Sequence, residues 1–244
     1  MTTLFVSDLH LASARPVQLH LFLAFLAAVC GRADALYILG DLFEVWLGDD
    51  DDTPPNPSVI AALAAVSASG VKLAVGHGNR DFLFGRRFAA ATGATLLDDY
   101  AVIDLYGTRT VLTHGDLLCT RDVKYQQFRR VVRHPLVRCA FLATPLAWRQ
   151  RIAARTRTGT QASMRSKQDH IMDVDEAAVS ACMERHCATL LIHGHTHRPA
   201  VYNYADSHPS RRRIVLGDWY EQDGVLVCDA AGQRPLRVSD YLTG

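Results

Sequence analysis

Five short apolar runs in this chain each end in a residue able to bind a metal, and in the later four a glycine stands beside it. Thr3-Leu4-Phe5-Val6 runs into Ser7-Asp8-Leu9-His10, and Leu36-Tyr37-Ile38-Leu39 runs into Gly40-Asp41. Leu73-Ala74-Val75 leads to Gly76-His77-Gly78-Asn79-Arg80-Asp81, Thr110-Val111-Leu112-Thr113 to His114-Gly115-Asp116, and Leu190-Leu191-Ile192 to His193-Gly194-His195-Thr196-His197. Continuous apolar runs of this length read as buried strands. Such strands carry carboxylate, amide and imidazole groups to one edge of a sheet. Single Asp or His residues at strand ends are ordinary loop polar groups, but that reading does not explain the adjacent glycines, which mark close backbone approach.

Around these runs the pattern is βαβ. Strand 3–7 precedes a helix at about 16–30, strand 35–39 a helix at about 57–69, and strand 71–76 a helix at about 81–92. Strands at 95–98, 101–106 and 109–113 follow, with Tyr106-Gly107-Thr108 as a hairpin turn. A helix at about 173–186, strand 189–192 and strands at 198–204, 211–217 and 224–229 complete the series, so a layered α/β fold is expected. At 244 residues and 49% hydrophobic the chain can bury one sizeable core. Six cysteines without CxxC pairing, and a start without signal-peptide features, are read as a reduced, cytoplasmic setting.

Between about 120 and 168 the strands stop. Twelve of the 26 basic residues lie there against one acid, Asp122, interleaved with Phe128, Leu136, Val137, Phe141, Leu142, Leu146, Trp148 and Ile152. Pro135 and Pro145 divide what reads as three short helices. An amphipathic helix ordinarily buries its apolar stripe on its own domain, yet this composition also suits an anionic, apolar ligand or an anionic membrane surface. Two other charged stretches, Asp49 to Asp52 and Arg211 to Arg213, are read as a solvated loop and an exposed strand edge.

Asp8, His10, Asp41, Asn79, His114, His195 and His197 form a ligand set without thiolate, suited to Mn²⁺, Fe²⁺ or Zn²⁺. Seven ligands exceed the needs of one ion. Two ions sharing a carboxylate would use them all, and such a pair binds an oxygen nucleophile and clamps a phosphoryl group for in-line displacement.

The motifs DLH (8–10), GDLFE (40–44), GNRDF (78–82), HGD (114–116) and GHTHRP (194–199) resemble those of the calcineurin-like metallophosphoesterases. Within that family the chain is similar to the branch that cleaves UDP-2,3-diacylglucosamine in lipid A biosynthesis, over nearly its whole length, including IMDV (171–174) and VLGDW (215–219). The resemblance implies an α/β metallophosphoesterase-type β-sandwich flanked by helices, its core formed by 1–119 and 169–244, with a helical lid inserted at 120–168. It implies hydrolysis of the pyrophosphate with two Mn²⁺ per chain, giving UMP and 2,3-diacylglucosamine 1-phosphate. One metal would take Asp8, His10, Asp41 and His197, the other Asp41, Asn79, His114 and His195. Asn79, Arg80, Asp122, Thr160, Met164, Lys167 and His195 would meet the substrate, and Arg80, Asn79 and His195 would act in catalysis. Thr160 and Met164 depart from the Ser and Asn of the pattern. Thr160 keeps a hydroxyl, whereas the Met164 side chain cannot donate a hydrogen bond. The protein would lie on the cytoplasmic face of the inner membrane, with no nucleic-acid or protein partner implied.

Arg80 can be read without the family. Many phosphoesterases place His there, which can protonate an alkoxide leaving group, and Arg cannot do so at neutral pH. A phosphate anhydride releases a phosphate monoester whose last pKa is about 6, so it needs no such proton. A fixed cation that stabilises charge is the more useful group. The plainer reading is that Arg80 merely forms an ion pair with Asp81 or another acid. Two alternatives to the implied activity are a generic phosphodiesterase, which would not require the apolar content of 120–168, and a non-catalytic interaction module, which would have lost ligands.

Overall fold

Successive side chains of a strand point to opposite faces, and in β1 (Thr3–Val6) this sends Leu4 and Val6 into one core and Phe5 into another. β2 (Ala35–Ile38) sorts its residues the same way, with Leu36 and Ile38 in the first core and Tyr37 against the second. Strands buried on both faces therefore read as unbroken apolar runs. The computed structural model describes residues 1–165, 173–204, 210–220 and 222–243, and of residues 156–165 the backbone alone.

One sheet adds β3 (Lys72–Val75), β4 (Thr95–Leu96), β10 (Gly224–Asp229) and β11 (Gly232–Arg237), in the order β11-β10-β1-β2-β3-β4. The other comprises β5 (Ala101–Leu105), β6 (Thr108–Thr113), β7 (Leu190–His193), β8 (Ala200–Tyr204) and β9 (Arg211–Val215), in the order β5-β6-β7-β9-β8. Phe5, Leu39, Leu112, Ile192, Ile214 and Leu226 fill the space between the sheets. Helices α1 (Pro16–Val29), α2 (Asn56–Ala68) and α3 (Arg86–Thr92) cover the outer face of the first sheet, and α7 (Glu176–Arg185) covers that of the second. The expected α/β sandwich flanked by helices is the observed fold.

Parallel register gathers the strand ends. Val6 lies opposite Ile38, Ile38 opposite Val75, and Thr113 opposite His193. The loops that follow these residues consequently emerge side by side, where α/β sheets bind ligands.

The structure departs from the expected elements at several points. The helix expected from 81 begins at Arg86, because Asp81 folds back on the preceding loops and Asp49 caps the new start, accepting from the amides of Arg87 and Phe88 at 3.0 Å each. The acidic run is thus not simply solvated: Asp50 pairs with buried Arg149, and Asp51 is buried. Arg213 is likewise no edge residue, since β9 is interior to its sheet. It pairs with Glu176 at 2.8 Å and lies over the Tyr202 ring. β11 and a final helix α8 (Val238–Thr243) were not expected.

Residues 120–165 form α4 (Val123–Val132), α5 (Pro135–Leu142) and α6 (Leu146–Arg165), the last much longer than expected. Among the described residues no helix is long and apolar enough to cross a membrane.

Candidate metal centre

The loops carry their ligands in unusual backbone conformations. Asp8, His10, Asp41, His195 and His197 all have positive φ, between 48° and 70°. Such strain persists only where the surroundings enforce it. Asp81 supplies that enforcement around Asp41. Its buried carboxylate accepts from the amides of Gly78 at 2.8 Å, Leu42 at 2.7 Å, Asp41 at 3.3 Å and Phe43 at 3.4 Å, so it locks the loops after β2 and β3 together. The expected alternative of an Arg80–Asp81 ion pair is not what the Asp81 carboxylate does.

Glycine is required where those loops touch. A Cβ on Gly78 would overlap the Asp41 carboxylate and amide, and one on Gly194 would overlap Asp8 and Ser7. Two further bonds clasp the sheets to each other: the His195 amide donates to Asp8 Oδ2 at 2.8 Å, and His114 Nδ1 donates to the Leu39 carbonyl at 3.0 Å.

All seven expected ligands converge. The ligating atoms of Asp8, His10 and His197 lie within 4.8 Å of one another, as do those of Asp8, Asp41 and His114. Asn79 Oδ1 faces His114 Nε2 at 3.0 Å and His195 Nδ1 at 3.2 Å, which brings the remaining two residues to the same place. His197 Nε2 lies 3.2 Å from Asp8 Oδ1, and His10 Nε2 lies 3.7 Å from Asp41 Oδ2.

The donor chemistry fits a divalent cation. Leu39 O can only accept, so His114 Nδ1 carries a hydrogen, and in the neutral ring Nε2 presents its lone pair to Asn79 Oδ1, itself an acceptor. A divalent cation between such acceptors satisfies both. Both ring nitrogens of His10 are buried without a hydrogen-bond partner. Burial holds His10 and His195 down at about 4, leaving neutral imidazoles that can ligate. Burial, together with the Asp8 carboxylate, pushes Asp41 up to about 6. For Asp8 burial acts in the same sense but is outweighed by the His197 hydrogen bond and the surrounding imidazoles, which hold its carboxyl well below the usual range.

Behind these groups lie residues that the sequence did not single out. Glu44 Oε2 approaches His10 Nδ1 at 3.7 Å and accepts from Tyr220 Oη at 2.8 Å, while Asp218 Oδ2 lies 3.5 Å from His197 Nδ1. Carboxylates behind ligating imidazoles fix the ring orientation. Trp219 wedges between Phe22 and Phe25, and its amide donates to the Asp8 carbonyl at 3.2 Å, so the VLGDW segment seats both Asp218 and Asp8. Asp116 of the HGD motif accepts from Tyr125 Oη at 2.6 Å and Arg129 Nε at 2.7 Å. Glu44, Asp116 and Asp218 stood within the GDLFE, HGD and VLGDW motifs, which was their only signal.

The expected substrate contacts are divided. Asn79, Arg80 and His195 stand at the centre, where the Arg80 amide donates to Asp41 Oδ1 at 2.8 Å. Asp122 caps α4, its Oδ1 accepting from the Tyr125 amide at 3.1 Å. Thr160 and Met164 lie on α6, but their side chains are outside the described residues, as is the whole of Lys167.

A family model described as calcineurin-like phosphoesterase matches residues 1–199. A protein of Aeromonas hydrophila named UDP-2,3-diacylglucosamine hydrolase is 51% identical over 234 residues, spanning 96% of this chain and 97% of that one. Proteins of the same name from Serratia proteamaculans and Escherichia coli are each 50% identical, over 94% and 93% of this chain and 96% and 94% of theirs. Among solved structures, an archaeal phosphodiesterase superposes with a TM-score of 0.50 at 14% identity, covering 97% of this chain and 99% of that one. A dimetal phosphatase from Danio rerio does so with the same score and identity, covering 98% and 99%. At such identity these two report the fold.

Cation binding should be proton-linked with a definite sign. For His114 and His197 burial disfavours charge, but the neighbouring carboxylates outweigh it and raise both above the ordinary value of 6.5. Since a ligating imidazole must be neutral, affinity should fall as pH drops through that range, and binding near neutrality should release protons. Calorimetric titration with Mn²⁺ in two buffers of different ionisation enthalpy measures this. Equal affinity from about pH 8 to about pH 5.5 with no proton release would contradict it.

Proposed function

The chain belongs to the calcineurin-like phosphoesterase family, and on that premise we propose that it hydrolyses UDP-2,3-diacylglucosamine at the pyrophosphate, releasing UMP and 2,3-diacylglucosamine 1-phosphate. The observation that carries this reading is the likeness to hydrolases of that name, which extends over nearly the full length of both partners. This substrate places the enzyme in lipid A biosynthesis.

We assign two divalent cations, Mn²⁺ by preference, to the seven converging residues. Asp8, His10, Asp41 and His197 would hold one, and Asp41, Asn79, His114 and His195 the other, with Asp41 shared. Bound there, the cations would supply positive charge to the phosphoryl oxygens and a nucleophile from water. The chain's own groups do the rest. The Arg80 backbone is fixed through Asp41, while its Nε is buried without a hydrogen-bond partner, which suits a guanidinium kept for a ligand's charge. Arg80 stabilises the charge that develops on the phosphate leaving group, which needs no proton. Asn79 and His195 orient the phosphoryl group between the ligand loops. Asp122, Thr160, Met164 and Lys167 are proposed to contact the remainder of the substrate from residues 120–168, taken here as a lid inserted into the core formed by 1–119 and 169–244.

That segment exposes Phe128, Val131, Leu136 and Trp148 as well as Lys124, Arg130, Arg151 and Arg155. Such a mixture suits a peripheral position on an anionic, inner-membrane surface where an acylated substrate resides.

Purified protein with Mn²⁺ should release UMP from UDP-2,3-diacylglucosamine in clear preference to UDP-glucose, a cyclic nucleotide or a chromogenic phosphodiester. Arg80→Ala should lower kcat by about two to three orders of magnitude, and Arg80→His should not restore it. Equal turnover of all four substrates would leave a generic phosphodiesterase as the better description. Full rescue by His would show that the leaving group does take a proton.

Sedimentation with vesicles should show binding to anionic but not to neutral lipid. Added salt and the pair Leu136→Ser with Trp148→Ser should each weaken it, because charge and apolar burial both contribute. Indifference to lipid charge would remove the membrane from the proposal.

A further inference from the structure

Arg133, which caps the C-terminus of α4, reaches out of the helical insertion and lies across the GNRDF loop. Its Nη2 donates to the Gly78 carbonyl at 2.7 Å, its Nη1 donates to Asp99 Oδ1 at 2.9 Å, and its guanidinium sits 5.7 Å from the centre of the Phe82 ring. Asp116 Oδ2 lies 3.7 Å away, and the Arg133 side chain is only 14% exposed. A cation this well enclosed, with acceptors on several sides, is held in one orientation.

The Gly78 carbonyl is a consequential acceptor. Gly78 is the residue without a side chain that lets Asp41 approach, and glycine has the greatest backbone freedom of any residue. From the core side its amide is fixed by Asp81 Oδ1 at 2.8 Å, and from the insertion side its carbonyl is fixed by Arg133. That carbonyl belongs to the peptide unit leading into Asn79, whose Oδ1 faces His114 and His195, and Arg80 follows. Arg129 makes the matching connection to the neighbouring loop, bonding Asp116 at 2.7 Å two residues beyond His114.

We infer that Arg133 is a positioning residue for the catalytic loop: through the Gly78 carbonyl it sets the peptide that carries Asn79 and Arg80, and so ties the placement of both to that of the helical insertion. The role presupposes the hydrolytic site proposed above. It gives part of the insertion's charge a purpose other than meeting phosphate or lipid, since Arg129, Arg133 and Arg149 all point to the core. Arg149 provides the contrast. It fastens α6 to Asp50 and to the Leu47 carbonyl and is not bonded to the GNRDF loop or to a ligand.

The test compares Arg133→Met, Arg133→Lys and Arg149→Met in the full-length protein. It reads kcat and KM on UDP-2,3-diacylglucosamine and on a chromogenic phosphodiester, Mn²⁺ affinity by calorimetry, and Tm. Loss of an outer partner of a metal ligand typically costs about 10- to 100-fold in metal affinity or activity. Arg133→Met should therefore lower kcat on both substrates by about that factor, weaken Mn²⁺ binding in parallel, and change KM less than about 2-fold. Arg133→Lys, which keeps a donor but not the fork, should fall between Arg133→Met and the unaltered protein in both readouts. Arg149→Met should lower Tm while leaving kcat on the small phosphodiester within about 2-fold.

The inference is overturned if Arg133→Met leaves kcat and Mn²⁺ affinity intact, if it raises KM alone, or if Arg149→Met lowers kcat equally. Should Arg133→Met not fold, Arg133→Lys decides, and a loss in neither kcat nor Mn²⁺ affinity overturns the inference. If the unaltered protein bound Mn²⁺ and cleaved the phosphodiester but not the UDP lipid, the substrate reading alone would fail, and the Mn²⁺ and phosphodiester readouts would still judge Arg133.

Discussion

Lone pairs brought close together repel, and the centre of this protein is built to hold such lone pairs in place. Imidazoles, two buried carboxylates and an amide oxygen meet at the ends of strands from two sheets. Little in this cluster would assemble by itself. Asp81 gathers four backbone amides, the His195 amide and His114 ring bridge the two sheets, and positive-φ residues turn the ligands inward. The scaffold opposes the repulsion in advance, so that a bound cation would relieve it.

Most of this was legible because strand burial and ligand placement follow the same parallel register. A strand such as Leu190–His193, buried on both faces, is apolar from Leu190 to Ile192, and its polar residues begin with His193 at its last position and continue into the loop. What escaped was mostly non-local or weakly patterned. β11 is a polar strand at the sheet edge containing Pro235, and its sequence carries no alternation to betray it. Asp81 looked like the first turn of a helix, and only the folded chain brings the amides of Asp41 to Phe43 to it.

Helices α4 to α6 show how charge counting misleads. A cluster of cations in sequence suggested a surface for anions, yet Arg149 is buried and its partner Asp50 lies 99 residues away. Arg129 pairs with Asp99 across 30 residues. Basic residues in one segment thus divide between those that fasten these helices to the sheets and their loops and those that are exposed, as several of the segment's apolar side chains are. Asp122 caps the helix that follows it, accepting from the Tyr125 amide.

The central claim is that Asp8, His10, Asp41, Asn79, His114, His195 and His197 together hold two divalent cations with Asp41 shared between them. Metal content after equilibrium dialysis against Mn²⁺, measured by elemental analysis for the unaltered chain and for Asp41→Ala, tests it most directly. The expected result is about two ions per chain, falling to one or none when the shared carboxylate is removed, with turnover lost. One ion in the unaltered protein, or two retained by an active Asp41→Ala, would contradict the shared two-metal centre.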